Sequence, residues 1–251
     1  MAESLPLVSV IIAVKDAAAA LERTLSSIQE QSYPKIEVVV IDGGSSDQTS
    51  AVVKKYSSIV SHFVNEADQG IADAFNKGLA LAKGDYINFQ GAGDYFFNSR
   101  AIELVLVGVD PTKNDLVCGR VARVSRSGQV MAIVAPVAQS TALLYKMSLP
   151  HQGLLTHRRF FDRYGQFDLS CRFAMDYELL LRAYRTWPGV VIQPNIVSAW
   201  QAGGVGADKL WEVLSEYDRI KRKNQVAMPL VLTAINWLIR LRYRLANLKS
   251  S

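Results

Sequence analysis

The sequence predicts an α/β domain: a mostly parallel central sheet flanked by helices, with a small antiparallel element and C-terminal helices after it. Two patterns carry that expectation. Short β-branched runs alternate with stretches of helical period through the first 97 residues, and the connections between them are short. Such alternation calls for parallel strands covered on both faces. The chain has 251 residues, 49% hydrophobic and 20% charged, enough for one large α/β core or two small ones.

The first strand is residues 8–14, where Val8, Val10, Ile11, Ile12 and Val14 read as buried on both faces. Residues 17–31 follow as a helix with Leu21, Leu25 and Ile28 on one side, and Pro34 stops it. Residues 36–41 form a second buried strand. Ser45, with Gln48 three positions on, predicts a capping box for a helix over 47–56. A strand over 59–64, a helix over 70–82 and a strand over 86–89 complete the alternating half. Beyond it the reading is a helix over 98–107 and two strands, 115–125 and 129–136, joined as a hairpin at Arg126, Ser127 and Gly128. Residues 140–147 fit no single period. A strand over 151–156, a short helix over 158–164 closed by Gly165, a helix over 173–186 and a strand over 190–199 come next. A loop at 203–206 precedes a helix over 209–223, with Leu210, Trp211, Leu214, Tyr217 and Ile220 on one face.

The formal charge of +5 is unevenly placed. Residues 219–251 hold eight Lys and Arg and no acid, which leaves 20 basic against 23 acidic residues in the body. A mildly acidic body with a basic tail argues against a nucleic-acid partner. Within the tail, residues 226–239 are mostly apolar but too few to span a bilayer. They read as an interfacial helix, with Trp237, Leu238, Leu241 and Leu245 in the apolar layer and Arg240, Arg242 and Arg244 at the headgroups. A docked helix and an oligomer contact compete with that reading. Cys118 and Cys171 form no C-x-x-C pair, which disfavours a zinc cluster and fits a reducing compartment, with a disulfide between them still open. Residues 1–6 lack a basic region and the first apolar run is short, so no secretory leader is expected. The expected location is cytoplasmic, peripheral to the membrane.

Ligands of open parallel sheets bind at the carboxyl ends of the strands. Here those ends carry Lys15 and Asp16, residues 42–47, residues 66–70 and residues 90–94. The G-x-G-x-x-G fingerprint and the P-loop lysine motif are both missing, which disfavours those nucleotide sites. Asp42, followed by Gly43 and Gly44, would accept from a base N–H or close an Asx-turn. Asp68 and Asp73 open a helix, where the macrodipole alone favours acids. Asn76 and Lys77 lie one turn in, the lysine suited to a phosphate or to solvent. Asp94 offers hard oxygen ligands for a divalent cation, or is a solvated turn residue. Asp176, early in a helix, is either an N-cap or a general base. Its rival Glu178 points about 200° away at ~100° per residue. His151 and Gln152 sit beside apolar stretches, where a lone histidine is more often structural. Trp200 suits a sugar ring or a core equally.

Taken in order, these residues resemble the family-2 inverting glycosyltransferases of GT-A fold. The likeness rests on Val8 to Ile12, on Ile41 to Thr49, on Gly70 to Gly78, on Gly84 to Ile87 with Asp94, on His151 and Gln152, and on Ala174 to Arg182. The branch with GIYDAMNKG, then GDYI and FLNAGD, is the most similar. The likeness covers residues 7–205, split at 97/98 into a nucleotide-sugar half and an acceptor half, with 206–251 as the basic helical tail. It implies that Asp42 contacts the base, that Ala13 and Lys15 line base and ribose, and that Gly43, Asp68, Asp73, Asn76, Lys77 and Gly93 complete the donor site. Asp94 would be the surviving carboxylate of the metal motif, binding Mg2+ or Mn2+ beside the diphosphate. Asp176 would be the catalytic base, and His151, Gln152 and Trp200 would face the acceptor. The implied donor is UDP-linked. The implied acceptor is lipid-linked or a saccharide, met at the membrane through the C-terminal helix, in polysaccharide or glycolipid assembly. Three departures from the pattern stand out: Gly93 replaces a carboxylate, Phe75 replaces an arginine, and Lys15 with Asp16 replace an aromatic or asparagine. Gly93 and Phe75 keep open an alternative, a catalytically degenerate nucleotide-sugar-binding or scaffold protein at the membrane. A nucleotidyltransferase would need a Gly-rich basic loop after the first strand, which residues 14–17 do not supply.

Overall fold

The computed structural model describes residues 5–125, 127–201 and 208–248. The strands are β1 (Val8–Val14), β2 (Ile36–Asp42), β3 (Val60–Asn65), β4 (Tyr86–Gly91), β5 (Tyr95–Phe96), β6 (Leu116–Val124), β7 (Val130–Val134), β8 (Leu154–His157) and β9 (Val190–Gln201). The helices are α1 (Ala18–Gln29), α2 (Thr49–Lys55), α3 (Ile71–Leu81), α4 (Ala101–Val105), α5 (Arg158–Tyr164), α6 (Met175–Arg182), α7 (Leu210–Lys223) and α8 (Pro229–Leu248). All the strands join one sheet in the order β3-β2-β1-β4-β8-β6-β9-β5, with β7 on β6. β3, β2, β1 and β4 run parallel. β8 is antiparallel to both β4 and β6, and the hairpin β6–β7 is the expected antiparallel element.

Alternation along the strands divides the core in two. Even positions Val8, Val10, Ile12, Val38 and Val40 meet Leu21, Leu25 and Ile28 of α1, with Ile102 and Val105 of α4. Odd positions Ile11, Val39, Ile41, Ile87 and Phe89 meet Phe75 and Leu79 of α3, Phe160 and Phe161 of α5, and Leu179 to Leu181 of α6. Each of these fully buried side chains contributes about 1.5–3 kcal/mol. Gly78 fixes the close approach of α3 to the sheet, since a Cβ there would stand 2.3 Å from Ile11 Cγ2.

Several elements depart from the expectation, each for a local reason. Ser45 donates its hydroxyl to Asp42 Oδ1 at 2.5 Å, so it caps nothing; Asp47 Oδ1 instead accepts from the Thr49 N–H at 3.0 Å, and α2 starts later. The strand expected over 151–156 begins as a 3-10 turn at His151–Gly153 and becomes β8 only at Leu154. The helix expected over 173–186 ends at Arg182 and continues as a 3-10 turn. Residues 140–144 form another 3-10 turn, and the two-residue β5 was not foreseen. Arg126 and the loop at 203–206, with the 205/206 boundary, lie outside the described residues. Cys118 and Cys171 are free and buried.

α8 lies along α7. Leu232 is buried, Lys221 Nζ donates to Leu144 O at 3.2 Å and to Asn236 Oδ1, and Arg240 Nη2 donates to Ser215 Oγ at 3.1 Å. The opposite face of the helix leaves Leu230 84%, Trp237 62%, Leu238 55% and Leu245 52% exposed. No helix among the described residues is long and apolar enough to cross a membrane.

Candidate active site

The chain steps from β1 to β2 and β3 on one side, then returns through α3 to β4 on the other side of β1. That reversal opens a crevice at the carboxyl ends of β1 and β4. Asp42 ends β2 fully buried. Its Oδ1 accepts from the Ser45 N–H at 2.9 Å and from the Ser45 hydroxyl. Its Oδ2 is buried with no partner among the described residues. A buried, unsatisfied carboxylate oxygen is costly and demands a donor. Gly43 follows, and a Cβ there would lie 2.5 Å from Asp68 Oδ2, so Asp68 closes over the Gly43 backbone. The loops are tied together by Asp16, whose N–H donates to Ser45 Oγ at 2.7 Å and whose Oδ1 accepts from the Ser46 N–H at 2.8 Å. Ala13 sits between Ile41 and Gly91 in the sheet register. Lys15, just past β1, is exposed and makes no ion pair among the described residues.

Asn76 and Lys77 of α3 both have protein partners in this structure. Asn76 donates through Nδ2 to Phe167 O and accepts through Oδ1 from the Phe167 N–H, both at 2.9 Å, so its amide ties α3 to the segment ahead of α6. Lys77 Nζ contacts Glu66 at 2.9 Å, Ala67 O at 3.0 Å and Asp73 at 3.4 Å. Asp73 also accepts from the Gln69 N–H at 3.1 Å and serves the start of α3.

Asp94 closes the loop after β4. Its Oδ2 accepts from the Gly91 N–H at 3.0 Å, and its carbonyl accepts from Thr24 Oγ1 at 2.7 Å. Thr24 Oγ1 also accepts from the Gly93 N–H at 2.9 Å, so α1 pins the loop. Gly93 has φ +102 and faces Ala20 of α1. Burial pushes the Asp94 carboxyl pKa up, against smaller opposing effects of the His151 charge and of hydrogen bonds from Gly91 and Gln152. Among the described residues no cluster of three metal-ligating side chains exists. The donor set therefore fits a cation that takes one protein carboxylate and completes its shell with diphosphate and water, as Mg2+ and its like do. Such a cation would also relieve the desolvation that raises the Asp94 pKa.

Asp176 stands in the first turn of α6 and reaches back to the 3-10 turn before β8: His151 Nδ1 lies 3.1 Å from Asp176 Oδ2. Asp176 Oδ1 accepts from the Tyr177 N–H at 2.8 Å. Burial alone pushes the His151 pKa down, but the hydrogen bond and charge of Asp176 and the charge of Asp94 outweigh it, and the net shift is upward. Asp176 is not the N-cap: Ala174 holds that position, and Glu216 of α7 accepts from the N–H groups just ahead of α6. Glu178 is buried and paired with Arg182 and, at 3.4 Å, with Lys223, a structural role.

The turn bearing His151 and Gln152 is clamped from below. Gln152 O accepts from Gln90 Nε2 at 3.0 Å, Ser198 Oγ at 2.7 Å and Asn88 Nδ2 at 3.2 Å, and Asn88 also donates to Leu154 O at 3.0 Å. Asn88, Gln90 and Ser198 are fully buried, and sequence reasoning passed over them. The available signal was polar residues two apart in an otherwise apolar strand, both on one face. Trp200, half-buried near the end of β9, shares the face of Ser198 and pairs with Arg123 across the ladder.

Comparison with known proteins adds three findings. A family model described as Glycosyl transferase family 2 matches residues 9–174. A PGL/p-HBAD biosynthesis glycosyltransferase of Mycobacterium bovis is 29% identical over 188 residues, which cover 71% of this chain and 70% of that protein. Two solved structures align at 20% identity with a TM-score of 0.66. S. aureus TarS 1-349 in complex with UDP matches over 85% of this chain and 65% of its own. The mannosyltransferase PcManGT from Pyrobaculum calidifontis, in complex with GDP-Man and Mn2+, matches over 94% of this chain and 70% of its own. At these identities the structural likeness is one of fold.

Proposed function

The chain belongs to glycosyl transferase family 2 and has the GT-A fold, and from that premise we propose that it is an inverting enzyme that moves a sugar from a UDP-linked donor to an acceptor hydroxyl. The observation that carries this reading is His151, which contacts Asp176 and interacts with the charge of Asp94. Asp176 thus touches the imidazole, and the charge of Asp94 acts on it as well. At the nucleotide end, the unpaired Asp42 Oδ2 supports acceptance from an imide N–H such as uracil carries. Gly43 lets Asp68 close over the loop beside that ring, and Ala13 and Lys15 line base and ribose. Gly93 and Asp94 form the floor beneath the diphosphate. Asp94 would hold Mg2+ or Mn2+, which when bound neutralises charge on the leaving diphosphate.

Asp176 takes the proton from the acceptor hydroxyl. The oxygen then attacks the anomeric carbon from the face opposite the diphosphate, whose bond to that carbon breaks, and the configuration inverts. His151 keeps the Asp176 carboxylate oriented, and Gln152 and Trp200 line the acceptor side. The reading is tested with Asp176→Asn. Transfer and UDP release from UDP-sugars should fall by about 10²–10⁴, the range for a general base, with UDP binding retained. Undiminished turnover would remove Asp176 as base. Donor binding by the wild type without any turnover over a broad acceptor panel would favour the degenerate scaffold.

The exposed apolar face of α8, with Arg242 beside it and no acid after residue 218, supports a lipid-linked acceptor met at an anionic membrane surface.

A further inference from the structure

α7 grips the segment leading into α6 along one face. Lys223 Nζ lies 2.5 Å from Asp168 Oδ2, and Arg219 Nη2 donates to Ser170 O at 3.1 Å. Glu216 accepts from the N–H groups of Arg172 at 3.1 Å, Phe173 at 3.0 Å and Ala174 at 2.9 Å. Residues 216, 219 and 223 are spaced three and four apart, so they share one helical stripe. Beside that stripe, the Tyr217 ring stacks on Tyr177 at 4.1 Å and 9°.

Consecutive N–H groups converging on one anion form a backbone nest. This nest sits just ahead of α6, a helix without a side-chain cap of its own. Glu216 thus supplies, from another element, the negative charge that a helix start favours. The acid within the first turn is Asp176, whose Oδ1 already accepts from the Tyr177 N–H at 2.8 Å. With Glu216 removed, unsatisfied N–H groups would compete for Asp176, and its Oδ2 would leave His151.

We propose that Glu216 is a positioning residue for Asp176: by filling the nest at residues 172–174 it keeps the Asp176 carboxylate turned toward His151 and the acceptor. The effect on turnover rests on Asp176 being the base; the effect on the Asp176–His151 contact does not.

The test uses Glu216→Gln, Glu216→Ala and Glu216→Asp in the full chain. UDP affinity by calorimetry should stay within about threefold, while UDP release from UDP-sugars falls at least about tenfold, most for Ala and least for Asp. The imidazole NMR titration of His151, one of three histidines, should move to lower pH in Gln and Ala, and in Asp176→Asn as well. A cap that matters for stability alone would lower the melting temperature and leave the His151 titration unmoved, and that result overturns the proposal. If the Ala variant does not fold, the Gln variant, which keeps one acceptor oxygen, decides. Should Asp176→Asn retain full turnover while Glu216→Gln still shifts His151, the base assignment fails and the positioning stands.

Discussion

His151 Nδ1 stands 3.1 Å from Asp176 Oδ2, a contact that ties the 3-10 turn ahead of β8 to the first turn of α6. The pair predicts a pH dependence of stability. Burial lowers the imidazole pKa, Asp176 and Asp94 together raise it by more, and the folded value ends above the ordinary 6.5. A histidine whose pKa is raised on folding stabilises the protein fully below its unfolded pKa, and that contribution disappears as pH rises through the folded value. Urea titrations of wild type and His151→Asn should therefore differ most at pH 6 or below and converge above the folded pKa. A stability difference that does not change with pH would mean that the imidazole is not charged by its neighbours.

Asp42 predicts an effect on binding rather than on folding. Its Oδ2 is buried without a partner, while Oδ1 is satisfied by Ser45. In Asp42→Asn the amide oxygen can keep the Ser45 bonds and the NH2 group replaces the waiting acceptor. Loss of a hydrogen bond to a charged group is worth about 1.5–3 kcal/mol, so UDP affinity should fall roughly ten- to hundredfold. The melting temperature of the free protein should not fall, because the orphan oxygen contributes nothing to the native state. An unchanged Kd for UDP, measured by calorimetry, would remove Asp42 from the base site.

How far the sequence reached depends on whether a feature is local. β1, β2 and α5 are legible because period and flanking residues decide them, and α5 spans the residues expected. Asp42, Asp94 and Asp176 stand out because a carboxylate follows or opens a regular element. The trans cap by Glu216, the Asn76 strut to Phe167 and the clamp of Asn88, Gln90 and Ser198 on Gln152 join residues far apart in the chain. No periodicity encodes such partners. Lys77 illustrates the same limit: Glu66 and Asp73 are near it in the chain, but only the folded geometry shows that both pair with it.

The tail predicts a surface effect without a folding effect. Trp237 and Leu238 are 62% and 55% exposed on α8, on the face away from α7. Trp237→Glu with Leu238→Glu should leave the melting temperature within error. Each side chain withdrawn from an apolar layer forfeits up to about 1.5–3 kcal/mol, so co-sedimentation with vesicles containing anionic lipid should fall by well over tenfold. Wild-type binding should weaken with added salt, since arginines near the headgroups are screened. Absence of wild-type binding to such vesicles would dismiss the membrane and leave the face to another partner.

Gly93 predicts that a second carboxylate cannot simply be added to the loop that carries Asp94. Its φ of +102 lies where L side chains are strained, and a Cβ there would meet Ala20 Cβ at an ordinary 3.5 Å. The penalty thus comes from the backbone and not from crowding, and is on the order of 1–3 kcal/mol. For a chain of this size that lowers the melting temperature by roughly 2–12 °C. The added Cβ would also lie against Ala20 of α1. Gly93→Asp and Gly93→Ala should therefore destabilise alike, and Gly93→Asp should gain no affinity for Mn2+ in the presence of UDP. If instead Gly93→Asp melts with the wild type and binds Mn2+ more tightly, the loop can turn its 93 position inward and the single-carboxylate reading of Asp94 is wrong.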